Sequence, residues 1–382
     1  MKKLSDYKTE FDIDENIIYL NHAAVSPWPV RTRNAVIQFA EENYRSGSLN
    51  YLQWIETETE LRRKLQRLIN APSYEDVALV KNTSEALSMV AYGIQWQRGD
   101  NIAITNQEFP SNHIVWESLQ SHGVELRLAD ISDCANATAE QRIMDCCNQR
   151  TRLVSVSSVQ YASGLKLDLS QIGRFCKSQA ILFCVDAIQS VGALSFDIQE
   201  CQADFAMADG HKWMLGPEGL GFFYCASHLR EQLKLTQYGW HMIEDYGNYN
   251  IQDWQVAKTA RRFECGSPNM LGIHALNASL SLILEAGITD IEQQVLDNTR
   301  YMLELIDAEE NLTLLSPGKI KQLGGIVTFK HNQHPANVLY KKLKEQHIMC
   351  AERGGGIRYS PHFYTDQQQI QTALHLANSV TA

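Results

Sequence analysis

The sequence predicts an α/β fold: a mostly parallel β-sheet covered by helices, joined to a smaller α+β unit. Three observations predict it. Between residues 76 and 226, short Val/Ile/Leu-rich runs alternate with amphipathic stretches, the pattern of strands covered by crossover helices. At 382 residues, 44% hydrophobic and 20% charged, the chain is long and apolar enough for two domains and a substantial core. After about residue 265 the pattern changes to one long apolar helix followed by mixed strands and helices.

Taken in order, residues 1–20 form an N-terminal segment that precedes the sheet and packs on one domain or the other. Residues 21–265 form the large domain. Its strands are DVALVKN, NIAITN, VELRLAD, RLVSVSSV, AILFCVDA, ADFAMAD and GLGFFYC, with helical patterns such as NTSEALSMVAYGI and DLSQIGRFCKS between them. Residues 266–382 form the small domain. It opens with the helix PNMLGIHALNASLSLILEAGI and continues through GGIVTFKH, the helix NVLYKKLKEQ, HIMCAERGGGIRYSP and the helix TDQQQIQTALHLANSV. No internal repeat or low-complexity linker interrupts it.

Bulk properties narrow the function. A net charge of −10 argues against a general nucleic-acid surface, leaving room only for a local basic patch. No apolar run approaches the ~20 residues of a membrane span. The start, MKKLSDYKTEFDIDE, has no apolar stretch after its lysines, so a cytoplasmic protein is expected. None of the nine cysteines forms C-x-x-C or lies at metal spacing from a histidine. They read as small buried hydrophobes in a reducing compartment, with no metal site.

Ligands of parallel sheets gather beyond the carboxyl ends of the strands, so the residues there carry most information. After DVALV, Asn82 and Glu85 are spaced as an N-cap and its reciprocal partner. That arrangement serves capping alone, or offers N–H groups and the hydroxyls of Thr83 and Ser84 to a phosphate. Phe109, before a Pro-containing turn, faces either a ligand or the core. Asp186 directly follows an apolar run and needs a cationic or hydrogen-bonded partner, or caps the next helix. Lys212, in ADGHKWMLGPEG, either snorkels to solvent or is a desolvated amine of the kind that bonds carbonyl groups. In succession, these features are the inventory that holds pyridoxal phosphate. The lysine bonds its aldehyde, and the carboxylate keeps its ring nitrogen protonated so that the ring withdraws electrons.

With these residues in hand, the chain resembles the class V aminotransferases. This is the fold-type I pyridoxal-phosphate family that includes cysteine desulfurases, kynureninase and isopenicillin N epimerase-like proteins. The resemblance runs from YLNHAAVSPWP through VKNTSEAL, NQEFPSN, VDAIQS, DGHKWMLGPEGLGFFY and FECGSPN to AERGGGIRYSPHFYT. It implies that Lys212 carries the cofactor as an imine and Asp186 partners the pyridine nitrogen. It also implies Gln189 near the ring hydroxyl, Thr83, Ser84 and His211 at the phosphate, and Phe109 stacked on the ring. Ser267 is expected to reach the phosphate of a neighbouring subunit, which implies a homodimer. Arg358 is expected to hold the substrate α-carboxylate, with Arg353 a second arginine and Asn21 and His22 on the substrate side. Ser158 or Gln160 touches the ring or the substrate.

Two departures stand out. Asp209 replaces a small polar residue near the phosphate, where a carboxylate repels a dianion. It either points away to a cation or backbone N–H groups, or is protonated. Desulfurases place their persulfide-forming cysteine between the segments matching AER and IRYSPH. Here that interval is short, glycine-rich and without a cysteine, while Cys350 lies before it in a strand. The glycines are expected to let backbone approach the ligand. The leading expectation is therefore amino-group transfer between an α-amino acid and a 2-oxo acid. A C–S or C–N lyase and an epimerase are the alternatives on the same residues, and a non-catalytic binding protein is disfavoured by retention of Lys212, Asp186 and the phosphate seat.

Overall fold

The chain enters through a short strand, β1 (Ile18–Tyr19), and two helices, α1 (Val30–Ser46) and α2 (Tyr51–Ile69). The computed structural model describes residues 3–132, 137–250 and 252–380, so Cys134 lies outside the described residues. Seven expected apolar runs then form one sheet: β2 (Val77–Val80), β3 (Asn101–Thr105), β4 (Glu125–Ala129), β5 (Thr151–Ser157), β6 (Leu182–Asp186), β7 (Phe205–Asp209) and β8 (Gly221–Cys225). Between them lie α3 (Thr83–Gly93), α4 (Ser111–Glu117), α5 (Ala139–Cys146) and α6 (Leu169–Ser178).

The spatial order is β2-β8-β7-β6-β5-β3-β4. Central strands are buried along most of their length, whereas edge strand β4 shows Glu125 and Leu128 to solvent. Strand β8 is antiparallel to both neighbours, so β2 beyond it runs the same way as β7. The carboxyl ends of β2, β3, β5, β6 and β7 therefore open on one edge. Gly221 of β8 pairs with Val80 on one side and Asp209 on the other. A Cβ at Gly221 would stand 2.5 Å from the Ala208 carbonyl oxygen, so glycine is required where these ends converge.

Beyond residue 265 come α7 (Met270–Ala286), α8 (Ile288–Ala308), β9 (Leu312–Leu314), β10 (Val327–His331), α9 (Ala336–Glu345), β11 (Ile348–Met349), β12 (Ala351–Arg353), β13 (Gly356–Tyr359) and α10 (Gln367–Asn378). Strands β12-β13-β10-β9 form an antiparallel sheet, and β11 pairs in parallel with β1. The two cores do not divide at 265/266. Residues of α7 and the first half of α8, to Val295, belong to the large core, while Met302 and Ile306 belong to the small one. One continuous helix, α8, serves both cores, and Ile326, Phe363 and Tyr364 return to the large one. The N-terminal segment also serves both: Tyr7 packs in the large core and Leu20 in the small one. No single helix among the described residues is long and apolar enough to cross a membrane.

Candidate active site

The shared edge gathers most of the expected residues. Asp186 is the last residue of β6, and Lys212 lies three residues beyond β7. Lys212 is held from both sides. Its carbonyl accepts from Leu215 N at 3.0 Å, closing a turn in which Leu215 takes φ 61°, a conformation that costs a branched residue on the order of 1–2 kcal/mol. Next to it, Trp213 is fully buried, donates Nε1–H to Gln189 Oε1 at 2.8 Å, and its carbonyl contacts His362 Nε2 at 3.1 Å. The amine is thereby kept inside: Lys212 is 8% exposed, with Nζ 5.5 Å from the Phe109 ring centroid. Burial pushes its ammonium down, Asp186 partly offsets this, and Arg358 and Arg353 add to the depression. Lys212 does not snorkel.

Asp186 is 2% exposed, and its Oδ1 accepts from Ile188 N at 3.1 Å. Burial pushes its carboxyl up, opposed by that N–H and by Lys212 and reinforced by Glu108. Arg358, in β13, is 2% exposed; its Nη1 donates to the Tyr161 carbonyl at 2.8 Å, while Nε has no partner. Burial, then Arg353, pushes its guanidinium down to about 10. Arg353 lies exposed at the end of β12, donating to the Glu352 carbonyl at 2.7 Å. The intervening Gly354 and Gly355 have φ 58° and 80°, which makes them the two-residue turn of a β-hairpin. Turn geometry, not approach to a ligand, accounts for both.

At the start of α3, Asn82 Oδ1 accepts from Glu85 N at 2.8 Å. The Glu85 carboxylate accepts from Lys81 N at 2.7 Å instead of from the Asn82 backbone, so the reciprocal cap falls one residue earlier. Ser84 Oγ donates to Ser111 Oγ at 2.8 Å. Asp209 does not point away from the expected phosphate seat: Thr83 N and, at 3.1 Å, Thr83 Oγ1 donate to its Oδ1. His211 Nδ1 lies 3.5 Å from Asp209 Oδ2. Phe109 is 38% exposed and meets Tyr161 edge-on, with centroids 5.1 Å apart.

Other expected residues are committed elsewhere. Gln189 donates Nε2–H to the Ala23 carbonyl at 3.1 Å while accepting from Trp213. His22 is corrected: it is fully buried, with Nδ1 2.8 Å from the Ser360 carbonyl and Nε2 2.6 Å from the Tyr364 hydroxyl. Neither nitrogen is left for a substrate, and the ring instead stacks on Trp213 with centroids 6.2 Å apart. Asn21 keeps a buried Oδ1 without a partner. Ser158 is turned to Ser190 Oγ at 2.6 Å and to the Asp186 carbonyl. Ser267 is exposed on the loop before α7.

The sequence assigns no role to Glu108. It is buried and accepts from Thr105 Oγ1, Asn112 Nδ2, Gln160 Nε2 and both the backbone N and Oγ of Ser157. Its signal was an acid placed beside Phe109 just after a buried strand. By holding Nε2, Glu108 fixes Gln160, whose Oε1 is buried without a partner.

The residues fit pyridoxal phosphate. A shielded amine, a buried carboxylate, an aromatic ring and hydroxyls at a helix start converge, and the buried atoms Gln160 Oε1, His211 Nδ1 and Arg358 Nε have no partner within the described residues. The family model for "Aminotransferase class-V" matches residues 18–372. The chain belongs to that family. Pyridoxal phosphate is the cofactor of this class V member, and the fold is that of fold-type I enzymes. A probable cysteine desulfurase of Methanothermobacter thermautotrophicus is 29% identical over 392 residues, covering 97% of this chain and 96% of the relative. A cysteine desulfurase of Yersinia pseudotuberculosis is 30% identical, covering 84% and 79%. The apo structure of a cysteine desulfurase from Thermococcus onnurineus superposes with a TM-score of 0.87 at 25% identity, covering 98% and 97%.

Proposed function

We propose that this class V enzyme is a C–S lyase that cleaves the Cβ–S bond of a cysteine-type α-amino acid and releases the sulfur into solution. Relatives named as cysteine desulfurases favour C–S chemistry over the amino-group transfer that led the expectations from sequence. The observation that carries the second half is the Gly354–Gly355 hairpin. Where a desulfurase would extend a cysteine-bearing loop, the chain turns in two residues. The nearby thiol, Cys350, is 3% exposed, and burial pushes it up to about 12, which makes it a poor acceptor of sulfur.

When bound, the cofactor withdraws electrons from the substrate α-carbon. Lys212 Nζ takes the α-proton, its neutral form favoured by burial. Asp186 holds the ring-nitrogen proton in a dry pocket. Arg358 binds the α-carboxylate through its unpartnered Nε edge, orienting the Cα–H bond toward Lys212. With the cofactor bound, Phe109 would lie against its ring, and Thr83, Ser84 and His211 would hold its phosphate. Asn21 offers an acceptor on the substrate side, and Arg353 adds positive charge at the mouth. A homodimer belongs to the same reading: Ser267 is exposed, as are Tyr238, Tyr249 and Trp254, an apolar surface suited to a second copy.

The test offers single amino acids without an oxo-acid acceptor. Cysteine or cystine should yield pyruvate and ammonia in equal amounts, with sulfide or persulfide free in solution. Conversion of the cofactor to its amine form without ammonia would support transfer instead. In the same assay, Cys350→Ala should leave the rate unchanged; loss of sulfur release with cofactor binding intact would return the thiol to the mechanism. Arg358→Ala should raise KM for the amino acid about 10- to 100-fold, the worth of a charge-assisted hydrogen bond, with cofactor affinity unchanged. Equal loss of both would remove Arg358 from the substrate site.

A further inference from the structure

The helix start that should hold the cofactor phosphate already holds a carboxylate. Asp209 ends β7 beside α3, and its Oδ1 takes both the N–H and the hydroxyl of Thr83. Its side chain is 13% exposed, and burial pushes the carboxyl up to about 6 against the lowering effect of the Thr83 bonds. Charged groups around it give little relief: Lys212 lowers it and Glu218 raises it. His211 faces Oδ2, but burial and Lys212 push its imidazole down to about 4, so it is neutral near pH 7. The acid of α3, Glu85, turns to Lys81 N instead.

A phosphate dianion and an ionised Asp209 cannot share the Thr83 donors in so dry a place. We propose that Asp209 makes cofactor loading proton-coupled: it yields the Thr83 donors to the phosphate only as its carboxylate takes one proton from solution. No covalent bond changes at Asp209. In the loaded enzyme the neutral acid can itself donate to a phosphate oxygen. This rests on the cofactor and not on which substrate bond is cleaved.

The experiment titrates the cofactor-free chain with pyridoxal phosphate and with pyridoxal, which lacks the phosphate. The range is about pH 7 to 9, above the ~6 of a phosphate ester. The ratio of the two dissociation constants isolates the phosphate seat and cancels what Lys212 contributes to both. In the wild type, the advantage of pyridoxal phosphate should fall about tenfold per pH unit, as expected for one linked proton. In Asp209→Asn, which keeps an acceptor for Thr83, or in Asp209→Ser should the amide variant not fold, it should be flat. Calorimetry in two buffers should count one more proton taken up with pyridoxal phosphate than with pyridoxal. A wild-type ratio independent of pH, an equal slope in the variants or equal proton counts would overturn the proposal. No binding of either compound would instead remove the cofactor assignment.

Discussion

Lys212→Ala stops turnover while the fold persists and the cofactor still binds without a covalent link. The expectation follows from two burdens on one atom. On the proposed reading Lys212 Nζ would both attach the cofactor and move the α-proton, and positioned proton transfer alone contributes about 10²- to 10⁴-fold. A drop of about a thousandfold or more is therefore expected in single-turnover measurements. Stability should not fall in step: burial and two arginines disfavour the charged amine by more than Asp186 and Asp209 favour it. Removing it relieves both, so the melting temperature should hold. In the wild type, attachment of the cofactor should quicken with rising pH until the amine is neutral, levelling below the ~10.4 of an ordinary lysine. Residual turnover within about tenfold of wild type, less than proton transfer contributes, would mean that another base works here.

Asp186→Asn comes next in size. The amide keeps an acceptor for Ile188 N but cannot hold a negative charge. Burial already pushes the Asp186 carboxyl up, and Glu108 adds to it, so the carboxylate has a strong tendency to share a proton. A cationic ring nitrogen beside it satisfies that tendency and is itself kept charged. With the charge gone, the ring withdraws electrons less, and turnover should fall about 10²- to 10³-fold, the scale of a single preorganised electrostatic contact. Attachment at Lys212 should survive. A cofactor analogue with a methylated, permanently positive ring nitrogen should restore part of the rate in the variant. No restoration, with binding intact, would mean that Asp186 acts by some other route.

Much of this was legible in the sequence, for reasons that residues explain. Apolar strands such as AILFCVDA read plainly because helices cover both of their faces. Strand-end chemistry read plainly because strand order along the chain fixes the order of Thr83, Phe109, Asp186 and Lys212. Direction was not legible: nothing in GLGFFYC says that β8 runs against its neighbours and so carries Asp209 to Thr83. The resemblance placed His22 on the substrate side, yet both nitrogens bond residues near the chain's end, a contact over more than three hundred positions. Glu108 went unseen because most of its donors come from a distant segment, Ser157 and Gln160. The sharing of α8 between two cores was not legible because the helix carries no break where its partners change.

The measurement that bears most directly on the account is borohydride reduction of the cofactor-loaded enzyme, followed by peptide mass mapping. One stable adduct is expected, on Lys212, and none at that position in Lys212→Ala. An adduct on a different lysine, or none on a loaded and active enzyme, would contradict it.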